Sequence, residues 1–442
     1  MNRQTADRRP HAAWQVETLA ESARALAERG EISAAEDVYR QILETAPHHL
    51  KALSFLGMQA HKRGDHAGST LYLEQAARAA PEQPLIHQNL GLAYRGAGEP
   101  EKALAALERA TTLDPELRTA HLHKGALLES MGKSAEAVSA YWQAWRQFPP
   151  RELLARDTIA PPHLRLLAQH AAEQLRRTQA VLLEEALQPA HSRYGSAALA
   201  RIKAAIEIYL GLRKPEYLHP LQRPSFIYLP SVAPRAFFDR REIPGLPGLE
   251  AATREIRAEL EAVLGSTADL EPYVQIPAGQ DPLQWRELNG SKQWSSLHIL
   301  RSGAWVTENR KRCPRTAEAL GSLSLPHIPE HAPEGLFSIL LPDTHIPPHH
   351  GLGNYKLVAH LPLIVPGSCA IRVGDETRSW REGECLVFDD SFEHEAWNRS
   401  DSVRAVLILD VWNPLVTEAE REALTAMVGA IGAFRSAHCA VR

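Results

Sequence analysis

The chain is poor in cysteine, has no long apolar run, and carries no excess of charge of either sign. Its four cysteines (Cys313, Cys369, Cys385 and Cys439) include no C-x-x-C pair. That excludes a disulfide scaffold and a zinc ribbon, and points to free thiols in a reducing compartment. Apolar runs such as Leu336–Leu341 fall far short of the about 20 residues a membrane-spanning helix needs. The opening residues MNRQTADRRPHAAW are polar and basic without an apolar core, so no secretory leader is expected. A cytoplasmic protein with no membrane span follows as the expectation. Lysine and arginine number 49 against 53 acids, a net charge of −4, which argues against a nucleic-acid partner bound by charge. What is present, 44% hydrophobic and 23% charged residues over 442 positions, suits a folded chain of about two to four domains.

An internal repeat fills the first third. Pro47, Pro81, Pro115 and Pro149 are spaced 34 residues apart, as are Gly30, Gly64, Gly98 and Gly132. Gly57, Gly91 and Gly125 form a third ladder with the same period, and Ala35, Ser69, Ala103 and Ala137 a fourth. Between the rungs, apolar residues recur at helical spacing, as in Ala103, Leu104, Leu107, Ala110 and Leu113. The pattern predicts two helices per unit. One glycine lets the helices approach closely, the second sits in the turn between them, and the proline ends the unit. It resembles the tetratricopeptide repeat, carried here by Leu90, Gly91, Tyr94, Ala103, Ala110 and Pro115. Four units are expected over residues 16–151, after a polar tail at 1–15. Such a solenoid implies a groove for a peptide or protein.

Residues 152–222 read as connecting helices that extend or cap the solenoid. Pro220, Pro224, Pro230 and Pro234 then interrupt the chain, and 248–264 read as one more amphipathic helix. From about residue 283 the period changes to short extended runs, WRELNG, WSSLHIL, GLFSILL, YKLVAHLPLIV, CAIRVG, ECLVFDD and RAVLILDVW, separated by turn residues. This is the pattern of an antiparallel sandwich or barrel. Polar residues gather in two places within it, PDTHIPPHHGLGNYKLVAH and FDDSFEHEAWNRSDSVR. Two histidines on separate strands, about 45 residues apart, are able to meet at one metal. On spacing alone they serve equally as core or surface residues.

The stretch from Ser338 to Pro414 is similar to the aspartyl/asparaginyl β-hydroxylases, a branch of the iron- and 2-oxoglutarate-dependent oxygenases. The resemblance rests on Pro348, His349, Gly351 and Asn354, then on HLPLIVP, on Trp380, Glu382 and Gly383, on FDDSFEHEAWN, on Arg404 and on DVWNP. It extends more faintly back to Arg223. It implies an α-solenoid followed by a double-stranded β-helix (cupin-like) barrel at 223–425, with a C-terminal tail at 426–442. The implied cofactors are Fe(II), 2-oxoglutarate as co-substrate and O2.

Position by position, the resemblance makes His349 and His394 the metal ligands. Relatives outside this branch add a carboxylate two residues after the first histidine, where this chain has Gly351. Asp390 would stand beside the metal and orient water. Arg404, joined by Ser338, would hold the far carboxylate of 2-oxoglutarate, and His360 the other carboxylate near the metal. Val358 replaces an arginine common in the family. Residues 354, 356, 358 and 360 share one strand face, so Lys356 is the nearest substitute for that charge. His345 and His350 read as surface residues, His350 facing away from His349. The expected activity is hydroxylation of a C–H bond, the β-carbon of an Asp/Asn-like residue in a peptide, protein or carrier-bound substrate delivered by the repeats. The alternatives are a halogenase using the position left open at Gly351, and a repeat scaffold with an idle barrel.

Overall fold

The computed structural model describes residues 8–145, 162–265, 270–277 and 282–439. They divide into two compact units, one built from the chain up to Thr178 and the other from Gln179 onward.

In the first unit the periodic segments are helices: Arg8–Glu28, Ile32–Thr45, Leu50–Lys62, His66–Ala79, Pro84–Gly96, Pro100–Leu113, Arg118–Ser130 and Ser134–Ala144. The expected tail at 1–15 is therefore already helical from Arg8. Gly30, Gly64, Gly98 and Gly132 turn the chain between paired helices with φ of 76° to 81°, a region that favours glycine. Pro149 and the expected repeat end at 151 lie outside the described residues. The second glycine ladder is set by close packing. A Cβ on Gly125 would overlap the buried ring of Tyr141, whose hydroxyl donates to Glu129 at 2.8 Å and fixes the ring. Gly125→Ala should therefore lower the unfolding free energy by about 1–3 kcal/mol, the usual range for overpacking. Chemical denaturation checks this, and an unchanged midpoint would contradict the packing argument.

The second unit contains strands β1 (Phe237–Phe238), β2 (Glu271–Pro272), β3 (Trp294–Arg301), β4 (Ala304–Trp305), β5 (Gly335–Leu340) and β6 (Thr344–His349). They continue as β7 (Lys356–Ile364), β8 (Cys369–Val373), β9 (Glu376–Arg378), β10 (Leu386–Phe388), β11 (His394–Asn398) and β12 (Arg404–Trp412). The large sheet has the order β1-β10-β7-β12-β5-β3-β2, with β4 on β3, and the small sheet β6-β11-β8-β9. From β5 to β12 the chain passes back and forth between the two sheets, the winding of a double-stranded β-helix.

Alternation sorts the large sheet's side chains between two faces. Leu357, Ala359, Leu361 and Leu363 of β7, with Ala405, Leu407, Leu409 and Val411 of β12, pack on helices Thr253–Leu264 and Pro314–Gly321. Val358 and Phe388 turn the other way, into a core shared with Ile346, Ile371 and Ala396 of the small sheet. The interior between the sheets is where polar side chains at 356, 360 and 404 emerge.

Three expectations change. Residues 285–290, read as extended, instead follow a 3₁₀ turn at Leu283–Trp285; tryptophan favours strands, but no partner strand is in register here. Residues 426–439 are not a tail, and 440–442 lie outside the described residues. Helix Glu418–Cys439 buries Met427, Val428 and Ile431 against Leu183, Leu187, Ile202 and Ala205. The helical chain from Gln179 to Tyr209 thus shares a core with the C-terminal helix rather than prolonging the repeats. Finally, the single helix expected at 248–264 is two, Leu246–Ala251 and Thr253–Leu264.

Candidate active site

His349 ends β6 and His394 begins β11, and the two are cross-strand partners in one ladder. Their rings lie 4.0 Å apart, centroid to centroid. His349 Nδ1 is 2.8 Å from the Pro347 carbonyl and His394 Nδ1 is 2.9 Å from that of Phe392. A carbonyl only accepts, so each Nδ1 carries the proton and each Nε2 keeps its lone pair. That is the tautomer that leaves Nε2 free to hold a metal, fixed in advance by the backbone. Burial pushes His349 down to about 3 and His394 to about 4, so both rings are neutral. Among the described residues no set of three His, Cys, Asp or Glu side chains gathers around one point. The two imidazoles are the candidate donors.

Both histidines face a cavity of about 480 Å³ between the sheets. At one end is Arg404, 1% exposed. Its guanidinium stacks on Trp380 with 5.0 Å to the ring centroid and reaches Ser338 Oγ at 3.5 Å. The Trp294 indole also donates to Ser338 Oγ, at 3.0 Å. No carboxylate pairs with Arg404 among the described residues, and its Nε has no partner. Desolvation lowers its pKa to about 10, so it remains a buried, uncompensated cation, a strong invitation to an anionic ligand. His360 stands nearby. Trp380 donates to its Nδ1 at 3.2 Å, leaving Nε2 as the N–H. Burial, then the Arg404 charge, holds this ring well below the ordinary histidine range, so it is a neutral donor.

Asp390 lies on the other side of His349. Its carboxylate fills the space that a side chain at 351 would occupy: a Cβ on Gly351 would overlap it. Gly351 also donates its amide to the Asp390 carbonyl at 2.6 Å. Asp390 does not cap the local turn. Asp389 does so, accepting from the Ser391 amide at 2.9 Å and from Gln222 at 2.9 Å. Asp390 Oδ1 is buried without a partner.

The remaining expectations fare differently. Lys356 points into the cavity with His360, as the alternation predicts, but it is not a free cation. Its ammonium is 2.6 Å from Asp410 and 4.0 Å from Asp390. His345 is exposed and pairs with Glu395 at 2.7 Å. His350, expected to face away, is half-buried and lines the cavity, because the strand ends at His349 and strict alternation ends with it. Sequence reasoning missed the aromatic wall. Tyr273 stacks on Trp294 at 3.8 Å, and Trp285 meets the His349 ring edge-on at 4.9 Å.

Comparison with known proteins supplies the context. A family profile described as Aspartyl/Asparaginyl beta-hydroxylase matches residues 250–414, and tetratricopeptide repeat profiles match 21–84 and 84–117. The rat Aspartate beta-hydroxylase domain-containing protein 2 is 31% identical over 246 residues, 54% of this chain and 68% of that protein. The chain belongs to the aspartyl/asparaginyl β-hydroxylase family. The Xenopus tropicalis protein of the same name is 30% identical, and the match spans 54% of this chain and 63% of its length. The Ornithine lipid ester-linked acyl 2-hydroxylase of Rhizobium tropici is 35% identical over 185 residues, 41% of this chain and 62% of that one. Among solved structures, MamA 41-end from Desulfovibrio magneticus RS-1 aligns with 29% of this chain and 73% of its own, at 29% identity and a TM-score of 0.28. No helix among the described residues is long and apolar enough to cross a membrane.

Several residues of the hydroxylase motifs act structurally. Asn354 accepts from the Leu229 amide at 2.7 Å and donates to its carbonyl at 2.8 Å, and Asn413 donates to the Asn354 carbonyl at 2.9 Å. Together they pin the loop after His349. Glu382 accepts from the Val365 amide at 2.9 Å. Gly351 makes a sharper test of this site. Gly351→Asp would force a second carboxylate onto Asp390. It should destabilise the chain by about 1–3 kcal/mol, as overpacking does, with like-charge repulsion added. Asp390→Ala in the same chain should recover most of the loss. Thermal melting of the single and double variants measures the coupling, and additive effects would contradict the shared space.

Proposed function

We propose that this hydroxylase depends on Fe(II) and 2-oxoglutarate, with His349 and His394 holding the metal through Nε2. The observation that carries the reading is the buried guanidinium of Arg404, which no carboxylate pairs among the described residues, in the same cavity as two imidazoles whose Nε2 lone pairs are free. When bound, iron with O2 and 2-oxoglutarate supplies a two-electron oxidation of a C–H bond, releasing succinate and CO2 and leaving the second oxygen atom as hydroxyl.

The chain's own residues do the rest. Arg404 takes the far carboxylate of 2-oxoglutarate bidentately, and the Ser338 hydroxyl turns a proton towards the same end. His360 offers its Nε2 proton to the other carboxylate. Asp390 presents Oδ1 as an acceptor for water beside His349. Leu340, Ile346, Ile371 and Phe388 keep the interior dry. A dry interior strengthens every charge interaction in the cavity. The repeats present a peptide, protein or carrier-bound substrate to this site.

The substrate narrows on charge. Lys356 is neutralised by Asp410 and Val358 brings no charge, so a substrate carboxylate finds no partner on this side. Of the Asp/Asn-like pair, the N–H-bearing side chain is the better fit. One relative is named for hydroxylating the acyl group of a lipid, which leaves C–H hydroxylation rather than aspartyl chemistry as the common ground. A halide is disfavoured because the Asp390 carboxylate fills the space beside Gly351. An idle barrel is disfavoured because an uncompensated buried arginine has no structural benefit. Anaerobic titration of the full chain with Fe(II) and 2-oxoglutarate, then succinate release on admitting air, tests the reading; absence of both binding and succinate would overturn it.

A further inference from the structure

The cavity's charge is lopsided. Glu334, Asp390 and Asp410 line it together with Lys356. The single lysine sits 2.6 Å from Asp410 and 4.0 Å from Asp390, and Asp410 also accepts from the Glu334 amide at 2.9 Å. Two acid oxygens keep acceptor capacity, Asp390 Oδ1 having a second lone pair beyond the one that water takes. Glu334 Oε2 is buried with no hydrogen-bond partner, and so is Oδ1 of Asp390, a residue only 8% exposed. The nearest candidate for Glu334, His298 Nε2, lies 3.6 Å away on a ring that burial and Arg301 keep neutral. Buried acceptors left open in this way are costly unless a ligand supplies donors. The aromatic wall at Trp285 and Trp294 adds ring faces that attract cations and do not attract carboxylates.

We propose that the substrate presents a positively charged nitrogen, an alkylammonium or guanidinium, to Glu334 and Asp390 in this cavity. The proposal rests on the hydroxylase reading only in calling the ligand a substrate. A divalent metal and a dianionic co-substrate cancel each other, and Arg404 faces the co-substrate. The excess of acid on the Lys356 side therefore persists in the loaded site. Lys356 sets the selectivity by holding Asp410 closely, reaching Asp390 only at 4.0 Å and leaving Glu334 to the ligand.

The test uses the full-length chain, anaerobically, with and without Fe(II) and 2-oxoglutarate. The probes are the N-acetyl amides of lysine, norleucine, asparagine and glutamate, which share a backbone and differ at the tip. Calorimetry reads binding. The lysine probe should bind about tenfold or more tighter than norleucine or asparagine, as expected for a charge-assisted contact, and the glutamate probe weakest. Glu334→Gln keeps the acceptor that takes the Ser302 amide at 2.7 Å and removes the charge. It should bring the lysine probe to the norleucine level. If that variant fails to fold, the probe series on the parent chain decides alone. Equal binding of lysine and asparagine, or preference for glutamate, overturns the proposal. Lysine preference with neither binding of Fe(II) and 2-oxoglutarate nor succinate once air is admitted defeats the hydroxylase reading and leaves this one standing; succinate formation in air without the preference does the reverse.

Discussion

His349→Ala and His394→Ala should each abolish Fe(II) binding in anaerobic titration, and with it succinate formation. On the proposed assignment two imidazoles supply all the protein ligation, so losing one removes half of it. The fall in affinity should exceed the about 10- to 100-fold that losing an outer hydrogen-bonded partner costs. Trp285, 4.9 Å from the His349 ring, gives a fluorescence readout of the titration in the parent chain. His345→Ala is the control, because that ring is exposed and occupied with Glu395. His350 is a poor control, since it lines the cavity. A His349→Ala chain that melts like the parent and binds Fe(II) as tightly would end the ligand assignment.

The second large effect is at Arg404. Arg404→Ala should raise the 2-oxoglutarate requirement by roughly ten- to a thousand-fold. The loss of a buried charge partner costs about 2–5 kcal/mol, and each decade is about 1.4 kcal/mol. Fe(II) affinity should be nearly intact. Arg404→Met separates ligand binding from stability. The parent carries an uncompensated buried cation, so the methionine variant should melt no lower than the parent when both lack ligand. Adding 2-oxoglutarate should raise the parent's melting temperature by mass action and leave the variant's unmoved. Equal ligand-induced shifts would remove Arg404 from the co-substrate site.

What the sequence disclosed, and what it withheld, follows from the range of the forces involved. The repeats were legible because backbone conformation and close packing recur at a fixed period: Gly30 and Gly125 each have one local reason to be glycine. The face of β7 was legible because alternation is local, and Lys356, Val358 and His360 do share it. The partner of Lys356 was not. Asp410 lies 54 residues away, and only the pairing of β7 with β12 brings them together. The aromatic wall was hidden for the same reason: WRELNG and WSSLHIL read as extended runs with no sign that they face one cavity, and Tyr273 and Trp285 are placed by tertiary packing. β11 was seen only as a motif, and β6 was masked by consecutive prolines in THIPPH.

Those prolines have a consequence for how the molecule behaves among its own copies. β6 is the outer strand of the small sheet, and an outer strand offers unpaired backbone groups to any passing strand. Pro347 and Pro348 have no N–H to offer. Pro348 is exposed, so the rim beside His349 is blunted as a template for intermolecular pairing. The strand that carries His349 thereby also bears on solubility. A substitution here that is harmless to the chemistry, such as Pro348→Val, would lengthen a pairable edge, and its effect would be read in light scattering at high protein concentration rather than in turnover.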